Sequence, residues 1–363
     1  MKIEHVDIWR LEIPLTTPYR LAFGPVTHYD TIIVDVIGDD GERGFGEATL
    51  LTGYTDETID DGYALATQIG SELPGSASAT ARARMRALGA RAPFVATAFH
   101  TALDMTAMHP LLRQRDARRV PMLALLQGND DVELRDNFER LFTEGYRTVK
   151  VKVGFDVDAD ARHIAAVQRV VAGRAAMRID ANQGYTADNA VMLVRQIDPA
   201  GIELFEQPCA AGDWDAHRTV AIEAALRDLP LMLDESIYDI ADIERAADEH
   251  ACAFVKVKLM KFVGIDALTA AIARIRALGM QPVLGNGVAT DLGCWMEACV
   301  ASSCIENAGE MNGFLKAREM LFTEPLVVDK GAIVIPVDVP ALDIDALERF
   351  ARDRASFRAR AAR

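Results

Sequence analysis

The 363-residue sequence has no apolar run of about 18 residues, the least a membrane-spanning helix needs, and no Cys-x-x-Cys pair. It also has no excess of basic charge. Its 54 acidic residues face 39 basic ones, giving a net charge of −15 and a pI near 5.0. Such a surface repels phosphate backbones and anionic lipid, so neither nucleic acid nor a membrane is an expected partner. The five cysteines, an odd number, read as reduced thiols in a cytoplasm, with Cys294, Cys299 and Cys304 as packing residues. The sequence opens without a charged-then-apolar leader, which also points to a cytoplasmic location.

What the sequence does have is a row of acids. Asp180 in RIDAN, Glu206 in LFEQP and Asp234 in LMLDES are spaced 26 and 28 residues apart. Each closes a short apolar run that reads as a buried strand. A strand, a return helix and two loops take about 25–30 residues, so the acids should end three successive parallel strands, which in a closed barrel meet at one mouth. Three carboxylates there would repel one another unless a cation lay between them. Oxygen ligands without Cys or His favour Mg²⁺, with Mn²⁺ as a substitute. The plainer alternative is three unrelated acids capping helices.

Lysines flank this row on both sides: Lys150 and Lys152 in TVKVKVG, then Lys256, Lys258 and Lys261 in FVKVKLMK. Residues two apart in a strand share a face, so Lys150 and Lys152 point the same way. Burial and like-charge repulsion both lower a lysine pKa, which would bring Lys152 toward service as a base near neutral pH. Alternatively these lysines only neutralise the carboxylates, a reading that stays open above all for Lys150 and Lys256.

The order K-x-K, D-x-N, E-Q-P, D-E-S, K-x-K-x-x-K resembles the enolase superfamily, specifically its muconate lactonizing enzyme subgroup. The opening MKIEHVDIWRLEIPLTTPYRLAFG and TIIVDVIGDDGERGFGEA fit as well. The resemblance implies that Asp180, Glu206 and Asp234 bind Mg²⁺ and that Lys152 and Lys258 are the catalytic lysines on strands two and six. Lys150, Asn182, Glu235 and Lys256 would support them. No His–Asp dyad of the mandelate racemase kind appears, since none of the seven histidines sits at a late strand end. The fold implied is α/β: a modified TIM barrel, (β/α)7β, with an α+β N-terminal capping domain completed by the C-terminal segment.

The organisation of the chain agrees. Alternation in KIEHVDIWRLEI and TIIVDVIG, then FGEA after a turn, predicts a three-stranded antiparallel sheet, followed by helices near 56–73, 78–90 and 93–109. From Pro121 apolar runs begin near residues 121, 148, 176, 202, 230, 253, 281 and 304, eight βα-type units with amphipathic segments such as DARHIAAVQRVVAG between them. The expected domains are residues 1–120 for the cap, 121–322 for the barrel and 323–363 for a tail returning to the cap as a hairpin and helix. The arginine-rich end RFARDRASFRARAAR reads as a solvated amphipathic helix.

A lysine base with Mg²⁺ stabilising an enediolate is the general arrangement of this superfamily. By resemblance Lys152 serves the S face and removes the α-proton of an L-configured carboxylate substrate. Lys258, on the other side, then returns a proton to carbon, giving racemisation or epimerisation, or protonates a β-leaving group, giving dehydration. Substrate contacts are expected from Tyr19, Phe23, His28 and Tyr54 of two cap loops, and from Asn286 and Glu310 at the last strand ends. Dipeptide epimerases of the subgroup carry Asp-x-Asp at the eighth strand end, where this chain has Glu310-Met311-Asn312. GNGVATD with NAGEMNG resembles the cis-3-hydroxy-L-proline dehydratases, which would make the product 1-pyrroline-2-carboxylate. Glu310 would then meet the substrate ammonium. The alternatives are a racemase or epimerase of N-acyl amino acids, dipeptides or proline derivatives, a cycloisomerase, a metal-free Schiff-base aldolase using Lys258, or a non-catalytic barrel. A small-molecule carboxylate and other copies of the chain, as a homo-oligomer, are the expected partners.

Overall fold

The computed structural model describes residues 1–21, 24–51, 55 and 57–359, without the side chains of residues 19–21 and 24. Its first three strands, β1 (Ile3–Leu21), β2 (Gly24–Gly38) and β3 (Arg43–Leu50), form the expected antiparallel meander. The helices α1 (Ile59–Glu72), α2 (Ser78–Leu88) and α3 (Pro93–Thr106) follow. Alternation decides which face they cover: Ile32, Val34 and Val36 of β2 turn toward the helices and pack with Ile69, Met85 and Phe99. The segments 16–21 and 24–30, read from sequence as part of a loop, are strand instead, with Tyr19 opposite Val26 and Leu21 opposite Gly24. Their threonines, tyrosines and Val26 suit extended backbone.

After β4 (Arg118–Pro121) the chain alternates strand and helix: β5 (Ala124–Leu125), α4 (Asp131–Thr143), β6 (Thr148–Lys152), α5 (Val157–Val171), β7 (Ala176–Asp180), α6 (Ala187–Gln196), β8 (Ile202–Glu206), α7 (Trp214–Ala225), β9 (Leu231–Leu233), α8 (Ile240–Asp248), β10 (Phe254–Val257), α9 (Ile265–Ala277), β11 (Gln281–Leu284) and α10 (Asp291–Cys304). Strands β5 to β11 lie side by side in chain order, and the paired ones are parallel. An eighth element near residue 304 was expected, but α10 runs through Cys304. The barrel closes a few residues later, where Gly309 exchanges hydrogen bonds with Pro121 and Leu123 and the Glu310 amide donates to Leu284.

The strand alternation sorts the side chains into two sets. Val149, Val151, Met177, Ile179, Phe205, Leu231, Leu233, Val255 and Val257 pack outward into the large core shared with the helices. The alternate set holds the small apolar cluster Leu204, Met232, Val283 and Phe254, and the charged residues Lys150, Arg178, Asp180, Glu206, Asp234 and Lys256. Ordinary barrel interiors are filled by branched apolar residues. Here only a thin apolar layer is present, and ion pairs fill the rest.

The tail departs from expectation in two respects. The hairpin β12 (Val327–Asp329) and β13 (Ala332–Ile335) joins β4 rather than the cap sheet. The arginine-rich end is mostly strand: after α11 (Ile344–Phe350), β14 (Ala351–Arg358) pairs antiparallel with the outer edge of β1. Ala355 and Phe357, two apart, pack on the cap core, while Arg354 lies over the Trp9 ring and pairs with Asp7. An open β1 edge leaves unpaired amides that a charged edge strand can satisfy, and this outweighs the helical reading. Among the described residues no helix is long and apolar enough to cross a membrane.

Candidate active site

Asp180 and Glu206 are the last residues of β7 and β8, paired directly across the sheet, and Asp234 directly follows β9. All three are at most 2 % exposed. Lys152 ends β6, opposite Asp180 in register, and Lys258 directly follows β10. β6 and β10 are the second and sixth of the seven barrel strands, and the Gly309–Glu310 segment closes the ring in the eighth place, so the two lysines stand about half a turn apart. Lys152 Nζ is 2.7 Å from Asp180 Oδ2 and also donates to Asn182 Oδ1, while Lys258 Nζ is 2.8 Å from Asp234 Oδ1. Both line a cavity of about 320 Å³ at the barrel mouth.

The carboxylates are not left to repel one another. Lys150 Nζ lies 2.8 Å from Asp180, 2.8 Å from Glu206 and 2.9 Å from Glu310. Lys256 Nζ lies 3.0 Å from Glu206 and 3.3 Å from Asp234, and also pairs with Glu310. Burial alone would lower both lysine pKa values, but the surrounding carboxylates outweigh it and raise them above the ordinary range. Burial also opposes ionisation of Asp180, yet Lys150 and Lys152 hold it to about 2. Glu206 goes the other way, pushed up by burial and by Asp180. The cation required by the charge argument is thus supplied in part by ammonium groups.

The donor set nonetheless fits a hard divalent ion. Its atoms are carboxylate oxygens on three adjacent strand ends. Glu206 Oε2 and Asp234 Oδ1 are fully buried and accept no well-directed hydrogen bond, although Lys150 and Lys258 lie 2.8 Å from them. Among the described residues no three acidic, His or Cys side chains already converge as a ligand set, because Lys150 and Lys256 lie between them.

The loops after the strands hold this arrangement. Asn182 has a left-handed φ of 42°, its amide donates to Asp180 Oδ1, and its side chain donates to Glu235 Oε1. Gly154, two residues after Lys152, has φ +99°, and a Cβ there would meet Ala181 O at 2.4 Å. Gln207 Oε1 accepts from the Asp234 and Ser236 amides, fixing the start of the next loop. Glu297 of α10, 2 % exposed, accepts from the amide of Leu259 just after Lys258. Burial pushes its carboxyl up to about 7 against the pull of that amide and Lys258.

Asn286 and Glu310 line the cavity, Asn286 accepting from the Val288 amide and Glu310 engaged by Lys150 and Lys256. The cap contributes Thr49, Leu51, Thr55 and Phe94. Phe23, Tyr54 and the side chain of Tyr19 lie outside the described residues, and His28 pairs with Asp30 away from the cavity lining. Two lysines carry more than the sequence reading gave them. Lys261 Nζ donates to the Asp234 and Ile237 carbonyls, and burial and Lys258 lower its pKa to about 8. Lys316 donates to Gly287 O at 2.6 Å, and burial lowers it to about 8 as well. A signal for Lys316 was present: the chain has only eight lysines among 39 basic residues, and six of the eight are at this mouth.

Residues 133–340 match the enolase C-terminal domain-like family. The chain belongs to the enolase superfamily. Other members resemble it over most of its length. An L-Lys-D/L-Arg epimerase of Methylococcus capsulatus is 33 % identical over 281 residues, 73 % of this chain and 77 % of the relative. The N-succinyl Arg/Lys racemase structure from Bacillus cereus superposes with a TM-score of 0.88 at 24 % identity, covering 99 % of this chain and 100 % of that one. A dipeptide epimerase of Cytophaga hutchinsonii, solved with Mg and D-Ala-L-Val, superposes with a TM-score of 0.86 at 21 % identity, covering 98 % and 100 %. Relatives named as dipeptide epimerases, an N-succinyl amino acid racemase and a muconate cycloisomerase are all among those it resembles.

Proposed function

We propose that this protein racemises or epimerises an N-substituted amino acid by moving a proton at the carbon next to a carboxylate. The observation that carries the reading is the placement of Lys152 and Lys258 on opposite sides of one cavity, each paired with a different member of the acid row. Asp180, Glu206 and Asp234 would hold Mg²⁺, which when bound polarises the substrate carboxylate and lowers the cost of α-proton loss. Lys152 takes the α-proton of the L-isomer from one face. Lys258 delivers a proton to the same carbon from the other face, and the roles reverse for the D-isomer. Lys150 and Lys256 stay protonated and steady the acids. Asn182 orients Lys152, and the cap residues Leu51 and Phe94 exclude water.

Dehydration of cis-3-hydroxy-L-proline is the second reading, favoured by the same opposed lysines. In that ring the hydroxyl and the α-hydrogen lie on opposite faces, so anti elimination needs a base on one side and an acid on the other. Incubating the protein with Mg²⁺ in D₂O and a panel of N-acyl amino acids, dipeptides and cis-3-hydroxy-L-proline separates the two. Loss of optical rotation with α-deuteration supports the isomerase. A cyclic imine trapped with o-aminobenzaldehyde, without racemisation of the other compounds, overturns it in favour of the dehydratase.

A further inference from the structure

Lys152 and Lys258 are held in place by different means. Lys152 is a paired residue of its sheet, opposite Asp180, and the next amide, that of Val153, donates to Asp180 O at 2.9 Å. Asp160 secures the loop beyond by accepting from the Gly154, Phe155 and Asp156 amides. Strand β10 stops sooner. Its pairing ends at Val255 on the β9 side and at Val257 on the β11 side, so Lys258 has no strand partner on either flank. The chain then enters a 3-10 turn, Leu259–Lys261, with Leu259 buried. A buried amide there, past the end of the ladder, needs an acceptor from elsewhere.

Glu297 supplies it. Its Oε1 accepts from the Leu259 amide at 2.8 Å, while Oε2 is fully buried and accepts no well-directed hydrogen bond. Glu297 is the only charged residue from Leu292 to Cys304, and its neighbours Trp295, Met296, Ala298 and Cys299 are each at most 1 % exposed. Burying an acid among such residues is unfavourable, and an apolar side chain would suit the packing better. A residue that breaks the local pattern at this expense points to the contact it makes. The helix that carries it is a firm base. Glu47 of β3 accepts from the Thr290 and Gly293 amides at 2.7 and 2.8 Å, and Asp291 accepts from the Leu321 and Phe322 amides at 2.9 and 2.7 Å.

We infer that Glu297 is a positioning residue for Lys258: through the Leu259 amide it fixes the backbone from which Lys258 reaches the cavity, whereas Lys152 is held by its own sheet and loop. The inference rests on the isomerase reading above. Since a misplacement of about 1 Å costs on the order of 10²-fold in rate, losing this contact should disable one face of the substrate carbon and spare the other.

NMR in D₂O with Mg²⁺ would follow α-proton exchange from each enantiomer of the N-acyl amino acid that the wild type racemises fastest. Glu297→Leu should slow exchange of the D-isomer, which Lys258 serves, by about 10²-fold, and that of the L-isomer by less than about threefold. Glu297→Gln keeps a carbonyl acceptor for the Leu259 amide and should retain D-isomer exchange within about fivefold of the wild type. Glu297→Met provides a second apolar variant should Glu297→Leu fail to fold. Equal losses for both enantiomers would show a general structural role and overturn the inference. Undiminished D-isomer exchange in the apolar variants, or a Gln variant as deficient as they are, would overturn it too. Crystal structures of the metal-free wild type and apolar variant give a readout independent of turnover. Lys258 Nζ should leave its position 2.8 Å from Asp234 Oδ1 by about 1 Å or more, with Lys152 still 2.7 Å from Asp180 Oδ2. An unmoved Lys258 overturns the inference, and this comparison decides it even where the wild type exchanges no compound and the isomerase reading itself has failed.

Discussion

Replacing Lys150 with methionine removes the ammonium while nearly preserving side-chain length and packing. The wild-type side chain is 2 % exposed, with Nζ within 2.9 Å of carboxylates from Asp180, Glu206 and Glu310. Breaking a buried ion pair from one side costs roughly 3–5 kcal/mol, because the partner is left charged and dry. Lys256 still reaches Glu206 and Glu310, and Lys152 still reaches Asp180, so the lower end applies, about 3 kcal/mol. With an unfolding entropy near 2.1 cal/mol/K per residue over the whole chain, that is a fall in Tm of roughly 4 °C. The Lys150 pKa is raised in the fold, so its contribution is complete below the ordinary lysine value, about 10.4, and fades only as pH rises above it. The deficit should therefore persist from about pH 7 to 9. Urea denaturation of both proteins, metal-free and in excess Mg²⁺, measures it. Mg²⁺ should stabilise the variant more than the wild type, since the variant's acids lack a counter-charge. A variant as stable as the wild type, with no larger response to Mg²⁺, would refute the claim that Lys150 compensates the acid row.

Three further outcomes follow from the same geometry. Asp180→Asn, Glu206→Gln and Asp234→Asn should each lower Mg²⁺-dependent turnover by roughly 10²-fold or more and weaken Mg²⁺ binding by calorimetry, with unchanged circular dichroism. Retained activity in EDTA would contradict the metal site. Glu297 carries a carboxyl raised to about 7, so the folded state holds a proton that the unfolded chain gives up near pH 4.5. That term lowers stability as pH rises from about 4.5 to 7, and in Glu297→Gln the stability relative to wild type should rise by on the order of 2 kcal/mol between pH 5 and 8 in urea melts; a flat difference would show that the residue is not protonated there. Glu310→Gln should raise KM more than it lowers kcat in steady-state assays if its carboxylate acts through ground-state binding, and a fall in kcat alone would exclude that role.

The barrel was legible because its signals are periodic. Six of the eight expected runs, from near 148 to near 281, begin within a residue or two of strands β6 to β11, and Lys152, Asp180 and Glu206, which end three of those strands, pair in register. The eighth, expected to begin near residue 304, was misplaced because the apolar residues there finish the largely buried helix α10, which runs through Cys304. The arginine-rich end failed for a different reason. Ala351 and Ala355 fit a helical spacing and a strand spacing equally, and only the exposed edge of β1, invisible in the sequence, decides between them. The same limit applies to electrostatics. The K-x-K motifs placed the lysines, but that Lys150 and Lys256 would bridge the acids, and that Lys316 would join them across the eighth strand end, depends on distances closed only by folding. Lysine scarcity was the one sequence cue to Lys316.

The account turns on two lysines serving opposite faces of one carbon, and single-lysine variants test that most directly. NMR in D₂O with Mg²⁺ would follow α-proton exchange of each enantiomer of an N-acyl amino acid, using the wild type, Lys152→Ala and Lys258→Ala. The wild type should exchange and racemise both enantiomers. Lys152→Ala should lose exchange of the L-isomer, and Lys258→Ala that of the D-isomer, each by about 10²–10⁴-fold, with racemisation lost in both. Undiminished exchange of both enantiomers in either variant would contradict the mechanism.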